Sequence, residues 1–217
     1  MLLVWRATMS IEAQNVAAVA SAIRQVKREK EVFMGKVILD MSMSVDGFIA
    51  GPNDEDGGLH DYFFSPSGDT AQVVEEGIKT TGAIIMGRRS YDLGDQFDGF
   101  VSTPYKVPHF VLSHTVPEKP AKGETAFTFV TDGPESALTQ AKAAAGDKNV
   151  VVGGGAHTAQ QFISAESIDE LQIHLVPVLL GEGLRLFDYI GGKPVKLEKT
   201  SVVDAPDVTH LTFRVVK

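Results

Sequence analysis

Ten residues constrain this chain more than any others: Asn149-Val150-Val151-Val152-Gly153-Gly154-Gly155-Ala156-His157-Thr158. A β-branched apolar run meets three glycines and then a segment with helical spacing, which reads as buried strand, tight turn and helix start. Such a turn has two uses. Without Cβ atoms its backbone can approach an anion, and the first N–H groups of the next helix lack internal partners and carry the positive end of its dipole. Equally, it is a strand-to-helix turn that needs positive φ. A pyrophosphate suits the first use, although the spacing is neither G-x-G-x-x-G nor G-x-x-x-x-G-K-[ST].

Two further apolar runs also end in anion-binding groups. Gly82-Ala83-Ile84-Ile85-Met86 finishes in Gly87-Arg88-Arg89-Ser90-Tyr91, and a planar guanidinium fork matches phosphate oxygens. Val107-Pro108-His109-Phe110-Val111-Leu112 finishes in Ser113-His114-Thr115. Taken singly, two arginines at a turn are a solvated pair and one histidine is surface decoration. In an open α/β sheet, however, ligands bind outside the carboxyl ends of the strands, where three such endings can converge on one extended ligand.

Charge then limits the partners. The net charge of -8 argues against a nucleic-acid surface or an anionic membrane, so any anion site must be a local cluster. No cysteine is present, which removes disulfides, thiol nucleophiles and cysteine-ligated metals and fits a cytoplasmic protein. The six histidines form no H-E-x-x-H or comparable set, so no metal is expected. No apolar run reaches the length of a membrane span.

Residues 1–34 differ from the rest, with Val16, Val19, Ala20, Ile23 and Val26 at helical spacing beside Arg24, Lys27, Arg28 and Lys30. They read as an N-terminal extension: an amphipathic helix, or sequence upstream of a start at Met34. The domain proper, 35–217, opens with a strand over Lys36 to Met43 and a glycine-marked bend through Ser44-Val45-Asp46-Gly47-Phe48-Ile49-Ala50. Gly51 to Gly58 reads as a lid or a solvated loop. Asp61, flanked by Tyr62 and Phe63, is either a carboxyl group tuned to protonate a ring nitrogen or a helix cap. Capping boxes are expected at Asp69 with Gln72 and at Asp132 with Glu135, opening helices to about Thr80 and Ala145. Ile168 to Leu180 reads as one long strand. Val195 to Val203 and Val208 to Val216 alternate like an antiparallel pair joined around Pro206. The sheet is thus mixed, parallel first and antiparallel at the end.

Ser44-Val45-Asp46-Gly47-Phe48-Ile49-Ala50, Ile85-Met86-Gly87-Arg88-Arg89-Ser90-Tyr91, the triple glycine, and Ile168-Asp169-Glu170-Leu171 through Val176-Pro177-Val178-Leu179-Leu180-Gly181 occur in the order found in one superfamily. Over about 35–217 the chain resembles the dihydrofolate reductase-like proteins, and among them the C-terminal reductase domain of the bifunctional riboflavin-biosynthesis deaminase-reductases. The resemblance implies a three-layer α/β fold with a mixed, mostly parallel sheet and an antiparallel C-terminal hairpin. It implies an NADPH-dependent reductase of a small heterocycle, nearest to the 5-amino-6-(5-phosphoribosylamino)uracil reductase reaction; the alternatives are a pterin reductase and a non-catalytic NADP-binding module. A homodimer is the expected assembly.

Carried over residue by residue, Gly87, Arg88, Arg89 and Ser90 would hold the cofactor's phosphates, and Ser113 and His114 would lie near its 2′-phosphate and adenine. Gly153, Gly154, Gly155, Ala156, His157 and Thr158 would cradle the pyrophosphate, while Ser42, Ile49 and Ala50 would border the nicotinamide. Asp61 stands nearest the catalytic carboxylate of folate reductases. Asp46 matches the Ser-x-Asp-Gly aspartate, which bonds a substrate hydroxyl or braces the bend. Two departures stand out: this chain lacks the tryptophan of the folate-reductase lid, and Gly153 replaces the glutamate usual in riboflavin-pathway reductases.

Overall fold

A computed structural model describes residues 35–119 and 121–217; the expected N-terminal helix lies outside them. Within 35–217, eight strands form one sheet in the order β5-β4-β3-β6-β1-β7-β10-β9. These are β1 (Val37–Ser44), β3 (Thr81–Gly87), β4 (His109–Leu112), β5 (Phe127–Val130), β6 (Asn149–Val152), β7 (Glu170–Val176), β9 (Leu197–Ala205) and β10 (Val208–Val215). Pairing is parallel from β5 through β7 and antiparallel for β10 with both β7 and β9. Two short strands, β2 (Phe48–Ala50) and β8 (Leu184–Arg185), make a separate antiparallel ladder.

Side-chain alternation sorts the parallel strands onto two covered faces, which is why they read as continuous apolar runs. On one face Val37, Leu39, Ile85, Val152 and Ile173 pack under α4 (Pro134–Ala145), with Ala137, Ala141 and Ala145, and under α5 (Ala156–Ser164), with Ala159, Phe162 and Ile163. On the other, Ile38, Ile84, Met86, Val111 and Val151 meet Tyr91 of α3 (Arg88–Gln96) and Phe100. Farther along that second face, α1 (Asp61–Phe64) and α2 (Gly68–Thr80) place Leu59, Tyr62 and Val74 against Val176 and Val208. The result is a helix–sheet–helix sandwich.

Several boundaries differ from the sequence reading. Neither expected capping box forms: α2 begins one residue before Asp69, and α4 begins at Pro134 after Gly133 at φ +104, both without a side-chain cap. Proline at the first helical position, with φ preset and no N–H to satisfy, takes the place of the box in α4. The strand expected to reach Leu180 stops at Val176 because Pro177 has no N–H for the ladder, and the Val178 N–H turns back to the Val176 carbonyl at 2.8 Å. Arg88–Gln96, read only as a polar turn, is a helix.

Candidate functional site

β6 lies between β1 and β3, and its last register pair sets Val152 beside Leu39. β1 runs on five residues further, to Ser44, so β6 ends at the point where crossovers leave in opposite directions, the place where open α/β sheets form their ligand crevice. Two helices start there. Gly87 is the N-cap of α3 and Gly155, at φ +79, is the N-cap of α5; neither helix has a side-chain cap. Their first amides are left for a ligand or for water. The turns are stitched together, Gly87 N–H to the Gly154 carbonyl at 3.2 Å and Gly153 N–H to the Ile85 carbonyl at 3.0 Å.

Glycine is required by this approach. A Cβ on Gly87 would stand 2.6 Å from Thr158 Oγ1, and one on Gly154 would stand 3.0 Å from Ser90 Cβ and Oγ and 3.1 Å from Met86 Cβ. The structure thus brings together Gly87, Ser90, Gly154, Gly155 and Thr158, from two separate stretches of chain. Ala156 and Thr158 are buried beneath the turn, whereas His157 and Gly153 are exposed above it. Two adjoining helix N-termini with hydroxyls between them fit a polyanion such as a pyrophosphate.

Arg88 extends the cradle toward β4. Its Nε donates to Asp92 at 2.8 Å, and its Nη1 donates to the Thr115 carbonyl at 3.0 Å and to Ser113 Oγ at 3.3 Å. His114 is exposed on the same turn. Arg89 does something else: Nε and Nη2 grip the Asp54 carboxylate at 2.7 to 3.0 Å, tying the loop after β2 to the start of α3. Ser42 is buried at the crevice and shares a 2.9 Å hydrogen bond with Tyr62. Ile49 and Ala50 lie on β2, and Ala50 pairs with Leu184.

The two candidate carboxylates differ in surroundings. Asp46 accepts from Ser44 Oγ at 2.7 Å, the Gly181 N–H at 2.7 Å and the Leu180 N–H at 3.2 Å. Those bonds, led by the one from Ser44, hold its pKa down to about 2, so it is ionised at neutral pH and is no proton donor there. It braces the β1–β2 bend against the segment after β7, and Arg185 reinforces the brace by donating to its carbonyl at 3.0 Å. Asp61 is an exposed residue in the first turn of α1, where a carboxylate complements the helix dipole. It lies at the first position of that short helix, whose N-cap is His60, and caps nothing through its side chain.

The sequence reading missed a second polar constellation, deeper in the second face. Asp40 Oδ1 lies 2.8 Å from His174 Nε2, His174 Nδ1 lies 2.6 Å from His210 Nδ1, and His210 Nε2 lies 3.2 Å from Thr70 Oγ1. Tyr62 packs on both imidazoles, with ring centroids 5.4 and 5.5 Å away. Thr70, His174 and His210 are buried, and both histidines reach a groove of about 280 Å³ between α2 and β7, β10 and β9. An aspartate inside Val37-Ile38-Leu39-Asp40-Met41 was the available signal. Among the described residues no cluster of three or more His, Asp or Glu is arranged to hold a metal ion, and no helix is long and apolar enough to cross a membrane.

Burial, with His174 close by, pushes the His210 pKa down to about 4, and burial lowers that of His109 as well. The unfolded chain takes up the His210 proton near 6.5 and the folded chain only near 4, so the unfolded state binds more protons between those values. Stability therefore falls as pH drops through that window and is flat above it. Thermal unfolding should show a midpoint that declines from about pH 6.5 to 4, with the slope reduced in His210→Gln.

Fold and site together define an α/β domain of dihydrofolate reductase-like architecture, with two uncapped helix N-termini meeting at the tips of its parallel strands. The chain belongs to the RibD C-terminal domain family, whose profile matches residues 35–211. It is 27% identical over 152 residues to the uncharacterized protein YwjB of Bacillus subtilis, covering 70% of this chain and 82% of that one. Among solved structures it superposes on a Shewanella sp. PV-4 protein assigned by name to riboflavin biosynthesis, with a TM-score of 0.70, 26% identity and coverage of 84% of this chain and 99% of that one. The fold is shared with Enterococcus faecalis dihydrofolate reductase complexed with NADP(H), at a TM-score of 0.56, 17% identity and coverage of 85% and 99%.

Proposed function

We propose that this protein is an NADPH-dependent reductase of a small nitrogen heterocycle, nearest to the 5-amino-6-(5-phosphoribosylamino)uracil reductase reaction of riboflavin biosynthesis. The observation that carries the reading is the meeting of two uncapped helix N-termini across the Gly87 and Gly154 contact. Gly87, Ser90, Gly153 to Gly155 and Thr158 would hold the pyrophosphate, with Ala156 buried under the turn and His157 above it. Arg88, Ser113 and His114 would meet the adenine end and its extra phosphate, and Ser42, Ile49 and Ala50 would border the nicotinamide. Arg89 would join them only by leaving Asp54. Membership of the RibD C-terminal family supports a pyrimidine substrate, and a dihydrofolate reductase of the same fold carries NADP(H). The bound cofactor supplies the hydride; the protein orients two rings, excludes water and provides a proton.

Mixing the protein with NADPH should enhance nicotinamide fluorescence. Arg88→Ala should weaken that binding by about 1–2 kcal/mol, roughly five- to thirtyfold, by removing a charge-assisted contact. Absence of any NADPH binding by the unmodified chain would refute the reading.

A further inference from the structure

We infer that Asp40, His174 and His210 form a proton relay that feeds the crevice from the groove behind α2, with Asp40 as the group that hands the proton to substrate. The inference rests on the reductase reading for its last step; the relay itself rests on geometry.

The tautomers follow from the partners. An ionised carboxylate only accepts, so His174 carries a hydrogen on Nε2 and donates it to Asp40 Oδ1 across 2.8 Å. With His174 neutral, its Nδ1 is a lone pair and the 2.6 Å contact needs a hydrogen on His210 Nδ1. His210 Nε2 then accepts from the Thr70 hydroxyl. Every bond points one way, from Thr70 toward Asp40. Adding one proton leaves the heavy atoms in place: His174 becomes an imidazolium donating from both nitrogens, and His210 turns to donate from Nε2 to Thr70 Oγ1. A chain that satisfies all its bonds with either proton count can take up a proton without moving its side chains.

Its ends are in suitable places. His174 and His210 border the groove, whose other polar walls include Gln72, Glu76, Gln172, Ser201 and Thr212, so solvent protons can reach the imidazoles. At the other end, Asp40 is the first β1 residue past the register of β6, and its side chain is 22% exposed. His174 holds Oδ1, while Oδ2 makes no hydrogen bond to the described residues. Charged and titratable neighbours are Glu76 on the groove side, Glu170 four residues before His174 on β7, and Tyr62 and Tyr105, whose hydroxyls burial keeps protonated. Of the two imidazoles His174 is the one that touches the carboxylate, so an added proton is best placed there.

Starting from the chain loaded with one proton, reduction of a carbon–nitrogen double bond breaks its π bond; carbon takes a hydride from the dihydronicotinamide, which is oxidised, and nitrogen takes the proton that the His174 imidazolium passes from Nε2 through the Asp40 carboxylate. The neutral rings are left with hydrogens on His174 Nδ1 and His210 Nε2, and exchange with water in the groove returns them to the resting tautomers and reloads the chain.

The full chain with ¹⁵N-labelled histidine would be titrated by long-range ¹H–¹⁵N NMR, in unmodified form and as Asp40→Asn and His210→Gln. Above pH 7, His210 should be the Nδ1–H tautomer and His174 the Nε2–H tautomer, and Asp40→Asn should move the His174 Nε2 resonance by changing the partner of its hydrogen bond. Two Nε2–H tautomers, or a His174 Nε2 resonance indifferent to Asp40, would overturn the relay whatever the activity. With NADPH and 5-amino-6-(5-phosphoribosylamino)uracil, Asp40→Asn should reduce kcat roughly 10²- to 10⁴-fold with NADPH fluorescence unchanged. His210→Gln should reduce kcat, raise the solvent isotope effect and leave KM nearly alone. An active unmodified protein whose Asp40→Asn variant turns over normally defeats the proton assignment; an inactive unmodified protein defeats the reductase reading and leaves the NMR result to judge the relay.

Discussion

Phe162→Ala should be the most damaging single truncation near the site, lowering stability by about 3–5 kcal/mol. Phe162 is 1% exposed and lies in the face-one core with Leu39, Ile85, Val152 and Ile173. Removing a phenyl ring there forfeits its transfer energy and leaves a cavity that the close-packed neighbours, among them the buried alanines of α4, relax only partly to fill. The loss reaches the candidate site because Phe162 and Ile163 are the anchors that fix α5, whose N-terminus is one of the two that meet there. Chemical denaturation should therefore show a large drop in midpoint at unchanged slope, and NADPH binding at a temperature where the variant is still folded should also weaken. A decrease below 1 kcal/mol would mean that α5 is held by something other than this contact.

What the sequence disclosed depends on where its signals are local. The meeting of the two glycine turns was readable because glycine at a strand end followed by donors is a short-range pattern, and such ends in an α/β chain have one common edge to occupy. Arg88 and Arg89 looked equivalent for the same reason. Their difference comes from Asp54, which is 35 residues distant in sequence and reaches Arg89 only through the loop after β2. Helix α3 was hidden because Arg88–Gln96 holds few apolar residues. Its place is fixed by Tyr91 in a ring cluster with Phe100, Phe127 and Phe129, and by Gly94, where a Cβ would lie 2.5 Å from the Phe100 ring. The buried imidazoles were hidden by fold class. In a strand covered on both sides, such as Glu170–Val176, alternation does not say which face His174 takes or that His210 lies opposite it. Asp46 shows the reverse case, a residue found by its motif whose role became clear only with its three donors in view.

The contact between Gly87 and Thr158 allows stability and binding to be separated. Gly87 has φ −82, so alanine there carries no backbone strain, and its cost is the 2.6 Å approach of the new Cβ to Thr158 Oγ1. Thr158 is 5% exposed and β-branched, with little freedom to turn away. Gly87→Ala should therefore destabilise by about 1–3 kcal/mol through overpacking. By prising apart the turns joined at Gly87 and Gly154, it should also weaken NADPH binding by roughly a hundredfold, about 2.7 kcal/mol. Thr158→Ala removes the offending oxygen, since Thr158 Cβ itself would stand 3.8 Å from the new methyl group. The double variant should recover most of the lost stability, with a coupling energy of about 1–2 kcal/mol. NADPH binding should not recover, because the cradle has then lost the Thr158 hydroxyl. Recovery of both quantities would show that Thr158 is a packing residue without a part in holding the anion; recovery of neither would place the clash somewhere other than Oγ1.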